Sequence, residues 1–281
     1  MNKLLLVDGS NLLFQMFFGM PARIRNRSGK AVHGTIGFLG ALLKIFRMTE
    51  PTHAAVLFDG EHENARKALD ADYKANRIDY GGVPEEENPF SQLADIYTAL
   101  DSLGVKRAET TDCETDDWIA GYAYTYGKDT KIIVSSHDSD YFQLLGENVT
   151  VLRYRGERTA IFTADDLTRR YGVTPAQYAD FKALVGDTAD NIRGAEKVGF
   201  KTAAELLQTF GTLRNLLDNA SLIAKPSVRE SVLNNAERLR TNYEMIRLTQ
   251  NAALPFPLEA LAYRLAGQTT TKILTGVGLL P

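Results

Sequence analysis

Leu4-Leu5-Leu6-Val7-Asp8-Gly9-Ser10-Asn11 begins with a short, continuous apolar run that stops on an acid. Such a run suits a parallel strand buried on both faces. Two further runs repeat the pattern: Ala54-Ala55-Val56-Leu57-Phe58 ends in Asp59, and Lys131-Ile132-Ile133-Val134-Ser135 leads into Asp138 and Asp140. Val149 to Tyr154 reads as a fourth strand, and helical patterns fill 34–49, 90–103 and 114–126. Strands alternating with helices predict an α/β fold, a parallel sheet covered by helices on both faces. Ligands of such sheets bind beyond the carboxyl ends of the strands, which is where Asp8, Asp59, Asp138 and Asp140 fall.

The rest of the chain reads differently. From about residue 164 the pattern turns helical, with Thr163 and Thr174-Pro175 as helix starts, helices over 175–185 and 201–210, and a longer one over 227–248. Between the first two helices lies Gly186-Asp187-Thr188-Ala189-Asp190-Asn191-Ile192-Arg193-Gly194-Ala195-Glu196-Lys197-Val198-Gly199, followed by Lys201-Thr202 opening the next helix. Two glycines ahead of a helix start predict a helix-turn-helix whose turn faces phosphate. The organisation expected is an α/β core over 1–165, a helical region over 166–250 and a weakly patterned tail over 251–281, either packed or partly disordered.

Composition bounds the function. With 281 residues, 44% hydrophobic and 24% charged, the chain is an ordinary globular sequence with ample core. A single cysteine, Cys113, excludes a disulfide framework and a cysteine zinc site, and a reducing, cytoplasmic setting is expected. No run of apolar residues is long enough for a membrane span, and Asp8 arrives too early for a signal peptide. A net charge of -3 speaks mildly against nucleic acid. The charge is uneven, however: residues 1–50 carry seven bases against two acids, and residues 51–120 six bases against sixteen acids.

Nine acids stand out by position: Asp8, Asp59, Glu114, Asp116, Asp117, Asp138, Asp140, Asp187 and Asp190. Glu114 and Asp117 are three apart in a predicted helix and share a face. Asp138 and Asp140, two apart, point the same way if extended. Taken singly, an acid after a strand is more often a cap or turn residue, and Asp116 or Asp117 reads equally as a helix N-cap. Taken together, such carboxylates repel unless a cation sits among them. Oxygen-only ligands select Mg²⁺ or Mn²⁺ over zinc, and more carboxylates than one ion needs suggest two ions roughly 4 Å apart.

Six motifs then fall in one order: Val7-Asp8-Gly9-Ser10-Asn11; Phe58-Asp59-Gly60; Arg66 with Tyr73-Lys74-Ala75-Asn76-Arg77; Glu114-Thr115-Asp116-Asp117; Ser136-His137-Asp138-Ser139-Asp140 with Gln143-Leu144-Leu145; and Gly186-Asp187-Thr188-Ala189-Asp190-Asn191. Over roughly residues 1–250 they resemble the 5′-nuclease (flap endonuclease) family, in particular the 5′–3′ exonuclease domains of bacterial DNA polymerase I and their stand-alone relatives. The resemblance implies a PIN-like parallel-sheet core followed by a helix-three-turn-helix.

It also implies roles for individual residues. Asp8, Asp59, Glu114, Asp116 and Asp138 would be metal ligands, with Asp117, Asp140, Asp187 and Asp190 completing the cluster; Asp140 and Asp187 would serve a second, less tightly held ion. Lys74 and Arg77 would meet the scissile phosphate from a helix, Tyr73 would stack on a base and Arg66 would lie in the substrate-binding set. Residues 74–100 would form an arch over the 5′ strand. Gly194, Gly199, Lys201 and Thr202 would grip duplex backbone, with a potassium ion on turn carbonyls. Arg193 and Glu196-Lys197 depart from the family's turn, which puts the potassium in question. His137 stands where the family has Gly, and packing is favoured over a phosphate contact.

The expected activity is two-metal hydrolysis of DNA at 5′ ends, flaps or junctions by a monomer, with a separate DNA polymerase as a candidate partner. Two alternatives are a non-catalytic DNA-structure-binding homologue and an RNA-cleaving relative. A phosphatase would want a second acid two residues after Asp8, where Ser10 stands, and a dinucleotide enzyme would want Gly-x-Gly-x-x-Gly.

Overall fold

A computed structural model describes residues 2–61, 65–249 and 252–279. The α/β part runs β1 (Lys3–Asp8), α1 (Gly9–Gly19), α2 (His33–Thr49), β2 (His53–Phe58), α3 (Ala65–Leu69), α4 (Leu93–Leu103), β3 (Lys106–Glu109), α5 (Thr115–Tyr126), β4 (Lys131–Ser135), β5 (Val149–Arg153) and β6 (Ala160–Phe162). The sheet order is β3-β2-β1-β4-β5-β6, parallel except for β6, which pairs antiparallel with β5. The three apolar runs therefore form adjacent strands. Leu5 and Val7 of β1 enter a core with α1, α2 and α4, whereas Leu4 and Leu6 enter a second core with α5 and the helices that follow. A strand apolar at every position needs partners on both faces, and the chain supplies them.

The chain builds outward from β1 to β2 and β3, then crosses back to place β4 on the other side of β1. Strand order reverses there, and in such sheets the carboxyl ends of the strands at the reversal, here β1 and β4, are where ligands bind. Asp8 ends β1, Asp59 follows β2, and Ser136 to Asp140 follow β4. Two strands carry no apolar signature. Lys106–Glu109 is an edge strand with no buried residue, and β6 leaves Ile161 exposed on the other edge. Both edge strands are short, which limits pairing with other chains.

The helical part comprises α6 (Ala164–Tyr171), α7 (Tyr178–Val185), the two-residue strands Gly186–Asp187 and Ile192–Arg193, α8 (Phe200–Phe210), α9 (Leu213–Asp218), α10 (Pro226–Asn234) and α11 (Ala236–Ile246). Thr163 and Asp166 make a reciprocal capping box at α6. The single helix expected over 227–248 is two helices. Asn235, at φ -109 and ψ 10, breaks it, and its side chain donates to Glu196 at 2.7 Å and to the Ser231 carbonyl at 2.7 Å. The described part of the tail is packed: α12 (Thr270–Gly276) buries Ile273 and Leu274 against α2 and α4, and Tyr263 N donates to Thr52 O at 2.9 Å.

The segment expected as an arch divides in two. Residues 70–88 form successive turns, but α4 buries Ile96, Ala99 and Leu100 beneath the sheet and belongs to the core.

Gly194 is where the helical part tolerates no side chain. A Cβ there would lie 2.3 Å from the carbonyl carbon of Val185, whereas one on Gly199 meets nothing within 4 Å. Gly194→Ala is expected to cost about 3 kcal/mol in denaturant unfolding, and Gly199→Ala under about 1 kcal/mol. Equal costs would contradict this packing.

Candidate metal centre and active site

Backbone donors fix the carboxylates one by one. Asp8 caps α1, its Oδ1 accepting from Asn11 N at 2.9 Å. Its other oxygen accepts from Ser136 Oγ at 3.0 Å and Tyr141 OH at 3.1 Å. Asp59 accepts from Thr115 N at 2.9 Å, which ties the end of β2 to the start of α5. Ser136 Oγ in turn accepts from Asp138 N at 3.0 Å, and Asp138 accepts from Asp140 N at 2.9 Å. Asp138 and Asp140 thus lie in a turn leading into a 3-10 helix, not in the extended segment expected. Asp187 accepts from Ala189 N at 2.8 Å.

Two subsites result. Tyr141 is fully buried and donates to Asp8 at 3.1 Å, and its phenol is pushed well up by burial and by the charges of Asp8, Asp116, Asp138 and Asp59, so these four acids lie in its neighbourhood. Asp140, Asp187 and Asp190 form the other, with carboxylate oxygens all within 4.8 Å of one another. Asp138 and Asp140 join the two. Burial, then Asp59 and Asp138, raises Asp8 to about 7. Burial, opposed by Lys182 and reinforced by Asp138, raises Asp140 to about 7. Burial also raises Asp116 well above the usual range. Glu114 goes the other way: despite burial, Lys74 and Arg66 hold it at about 2.

Four basic side chains balance the cluster. Arg66, 8% exposed, pairs with Glu114, with Asp116 at 3.1 Å and with Asp117 at 3.0 Å. Lys74 pairs with Glu114. Arg77 donates to Asp190 at 2.8 Å. Lys182 pairs with both Asp140 and Asp187. The chain therefore brings together the expected acids and the expected basic pair.

Some residues sit otherwise than expected. Lys74 is in a turn at φ +56, not on a helix, and is held there by Lys74 N donating to Asp190 O at 3.0 Å. Tyr73 cannot stack on a base in this structure: its ring is buried and its hydroxyl donates to Glu114 at 3.0 Å. Arg66 is enclosed by carboxylates rather than facing substrate. Asp117 is engaged by Arg66 and by Thr249 N at 3.1 Å, so it anchors α5. His137 packs, with Nε2 donating to the Tyr154 carbonyl at 2.8 Å. In the turn before α8, the Arg193, Gly194 and Glu196 carbonyls accept from Asn242, Arg238 and Ser231. Gly199 caps α8, and Lys201 points into solvent. Lys182 was not anticipated. Its one signal is a lysine within the otherwise apolar Phe181-Lys182-Ala183-Leu184, five residues before Asp187.

Oxygen-only donors in two adjoining groups fit hard divalent cations, and the residues present fit the group. An open α/β sheet with carboxylates gathered at its reversal point, flanked by cations, defines a metal-dependent phosphoryl-transfer enzyme as the class. Family models for the 5′-3′ exonuclease, N-terminal resolvase-like domain and the 5′-3′ exonuclease, C-terminal SAM fold match residues 3–172 and 173–269; the chain belongs to the 5′-3′ exonuclease family.

It is 35% identical over 268 residues to DNA polymerase I of Rhizobium leguminosarum, covering 92% of this chain and 26% of that protein. It is 34% identical over 257 residues to the thermostable DNA polymerase I of Thermus thermophilus, covering 91% and 30%. The chain thus spans less than a third of these relatives. Among solved structures, the T5 D15 protein co-crystallised with metal ions superposes with a TM-score of 0.73 at 21% identity, covering 87% of this chain and 89% of that one. The catalytic core of Rad2 with DNA substrate gives 0.62 at 16% identity, covering 98% and 93%. These likenesses concern the fold.

The raised carboxyls set a stability trend. Between about pH 4 and about pH 7 the folded protein retains protons on Asp8 and Asp140 that the unfolded chain has released. These two acids therefore lower stability as pH rises through that window, opposed within it by the lowered rings of His33 and His137 and below it by Glu114. In EDTA the unfolding temperature should drop from about pH 5 to about pH 8, and Mg²⁺ should restore it at the upper end. A rise in EDTA over the same range would contradict the cluster's electrostatics.

Proposed function

We propose that this chain hydrolyses DNA phosphodiesters at 5′ ends, flaps or duplex–single-strand junctions, using two divalent ions, Mg²⁺ or Mn²⁺. The observation that carries this is the close group of Asp140, Asp187 and Asp190, with Asp8, Asp59, Asp116 and Asp138 in the neighbourhood of Tyr141 and with Lys74 and Arg77 paired to Glu114 and Asp190. Asp8, Asp59, Asp116 and Asp138 would hold one ion and Asp140, Asp187 and Asp190 the other, with Glu114 at their border. When bound, such ions supply an activated water and charge relief on the leaving oxygen.

The protein's own groups orient and neutralise. Lys74 and Arg77 meet the non-bridging phosphate oxygens, Arg77 with a planar fork and Lys74 as a point charge. Their turn is docked on the 187–191 turn through Asn76 Nδ2 to Thr188 O at 3.0 Å and Asn191 Nδ2 to Asp72 O at 2.8 Å, so both groups are positioned before substrate arrives. The duplex backbone meets the N-terminus of α8, where Gly199, Lys201 and Thr202 present free N–H groups and a positive dipole. Contacts of this kind read backbone, not sequence, which makes the enzyme selective for structure. The reading places a monomer in the cytoplasm, with a DNA polymerase as the partner that displaces the 5′ strand.

A labelled 5′-flap duplex tests this. Asp138→Asn and Asp116→Asn should each lower Mg²⁺-dependent cleavage at least about a thousandfold while the flap still binds. Lys74→Ala should slow single-turnover cleavage about a hundredfold or more and weaken binding far less. Undiminished cleavage in either carboxylate variant, or a wild-type protein that leaves the flap intact, would overturn the assignment.

A further inference from the structure

Lys182 lies on α7 and is 5% exposed, yet its ammonium group pairs with Asp140 and Asp187. Those are two of the three acids whose oxygens gather within 4.8 Å. Among the described residues, ion pairs engage only Asp116 of the first group, through Arg66, but all three acids of the second, Asp140 and Asp187 through Lys182 and Asp190 through Arg77, so the two groups are unequal in resident charge. We propose that Lys182 is a built-in competitor for the Asp140/Asp187/Asp190 subsite and sets how loosely that subsite holds its divalent ion.

The inference rests on the metal-nuclease reading and assigns this chain a positioning residue that the reading does not use. An ammonium is a compact charge with three donors and no acceptor, so it takes the same lone pairs a cation would take. A dication entering among these acids must draw Asp140 and Asp187 away from Lys182 or bind beside a like charge. Withdrawal of the lysine is hindered. Phe181, Ala183 and Leu184 around it are buried, and Asn242 Nδ2 donates to the Ala183 carbonyl at 3.0 Å, fixing α7 against α11. Lys74 differs, because it stands on a turn segment outside the core.

The test is a Mn²⁺ titration of the full chain without DNA, read by the free-ion electron paramagnetic resonance signal, for wild type, Lys182→Met and Lys182→Arg. Wild type should bind one ion more tightly than the other. Lys182→Met should tighten the weaker ion by about tenfold or more and leave the tighter one unchanged. Lys182→Arg, which keeps the charge, should stay close to wild type. Saturating Mn²⁺ should also raise the unfolding temperature of Lys182→Met more than that of wild type. If Lys182→Met does not fold in EDTA, Lys182→Gln replaces it, keeping a donor without the charge, with the same expectations.

A weaker ion that is unchanged or looser in the neutral variant overturns the inference and leaves the nuclease reading standing. Absence of bound Mn²⁺ in every protein overturns both.

Discussion

The controlling constraint of this molecule is electrostatic: nine acids gathered at one end of a sheet, several of them buried, must be balanced for the fold to close. Isolated buried carboxylates would be protonated or would hold the site open. The chain meets the constraint with three enclosed cations, Arg66, Lys74 and Lys182, with Arg77 at the surface, and with backbone and hydroxyl donors to Asp8, Asp59, Asp138 and Asp187. Arg66 is the most enclosed of the four. A guanidinium can serve three carboxylates at once because its donors form a planar fork, which a lysine cannot reproduce. The balance is incomplete, as the raised carboxyls of Asp8 and Asp140 show, and that residual demand for positive charge is what prepares the site for divalent ions.

The sheet turns this cluster into a site. Reversal of strand order at β1 and β4 separates two loops and leaves room beyond the strand ends, and the residues that end those strands are the acids. Placing β1 and β2 with all but their first side chains buried fixes their ends firmly, since sliding either strand would expose apolar surface on one face. The apolar runs and the acids are thus one device: the runs supply rigidity and the acids use it.

Much of this was legible in the sequence because the signals are local. An apolar run leading into Asp marks a strand end, and all three strands so marked carry cluster acids. The edge strands were not legible: Lys106–Glu109 has no buried residue and Ala160–Phe162 is too short to show a pattern. The break at Asn235 was hidden because Asn is tolerated within a helix, and its effect depends on partners at Glu196 and Ser231, far away in sequence. Tyr73 misled and Lys182 went unseen for one reason. Whether a tyrosine faces solvent or a lysine lies inside is decided by long-range packing, and here each side chain ends on an acid of the cluster.

The last consequence concerns how the two parts of the chain work together. Lys74 and Arg77 stand on a turn outside the α/β core, and the contacts that hold this turn reach into the helical part, to the carbonyls of Thr188 and Asp190, to the side chain of Asn191 and to the Asp190 carboxylate. The same 187–191 turn leads through Gly194 to the N-terminus of α8, and Gly194 is locked against Val185 with no space for a side chain. On the proposed reading, a duplex seated on α8 would therefore be coupled through this tightly packed backbone to the turn that carries the two cations. Packed elements transmit such displacement because the interior has little slack. On the proposed reading, gripping the duplex and aiming at the scissile phosphate are one mechanical act, and the acids of the second subsite, Asp187 and Asp190, lie on the segment that joins them.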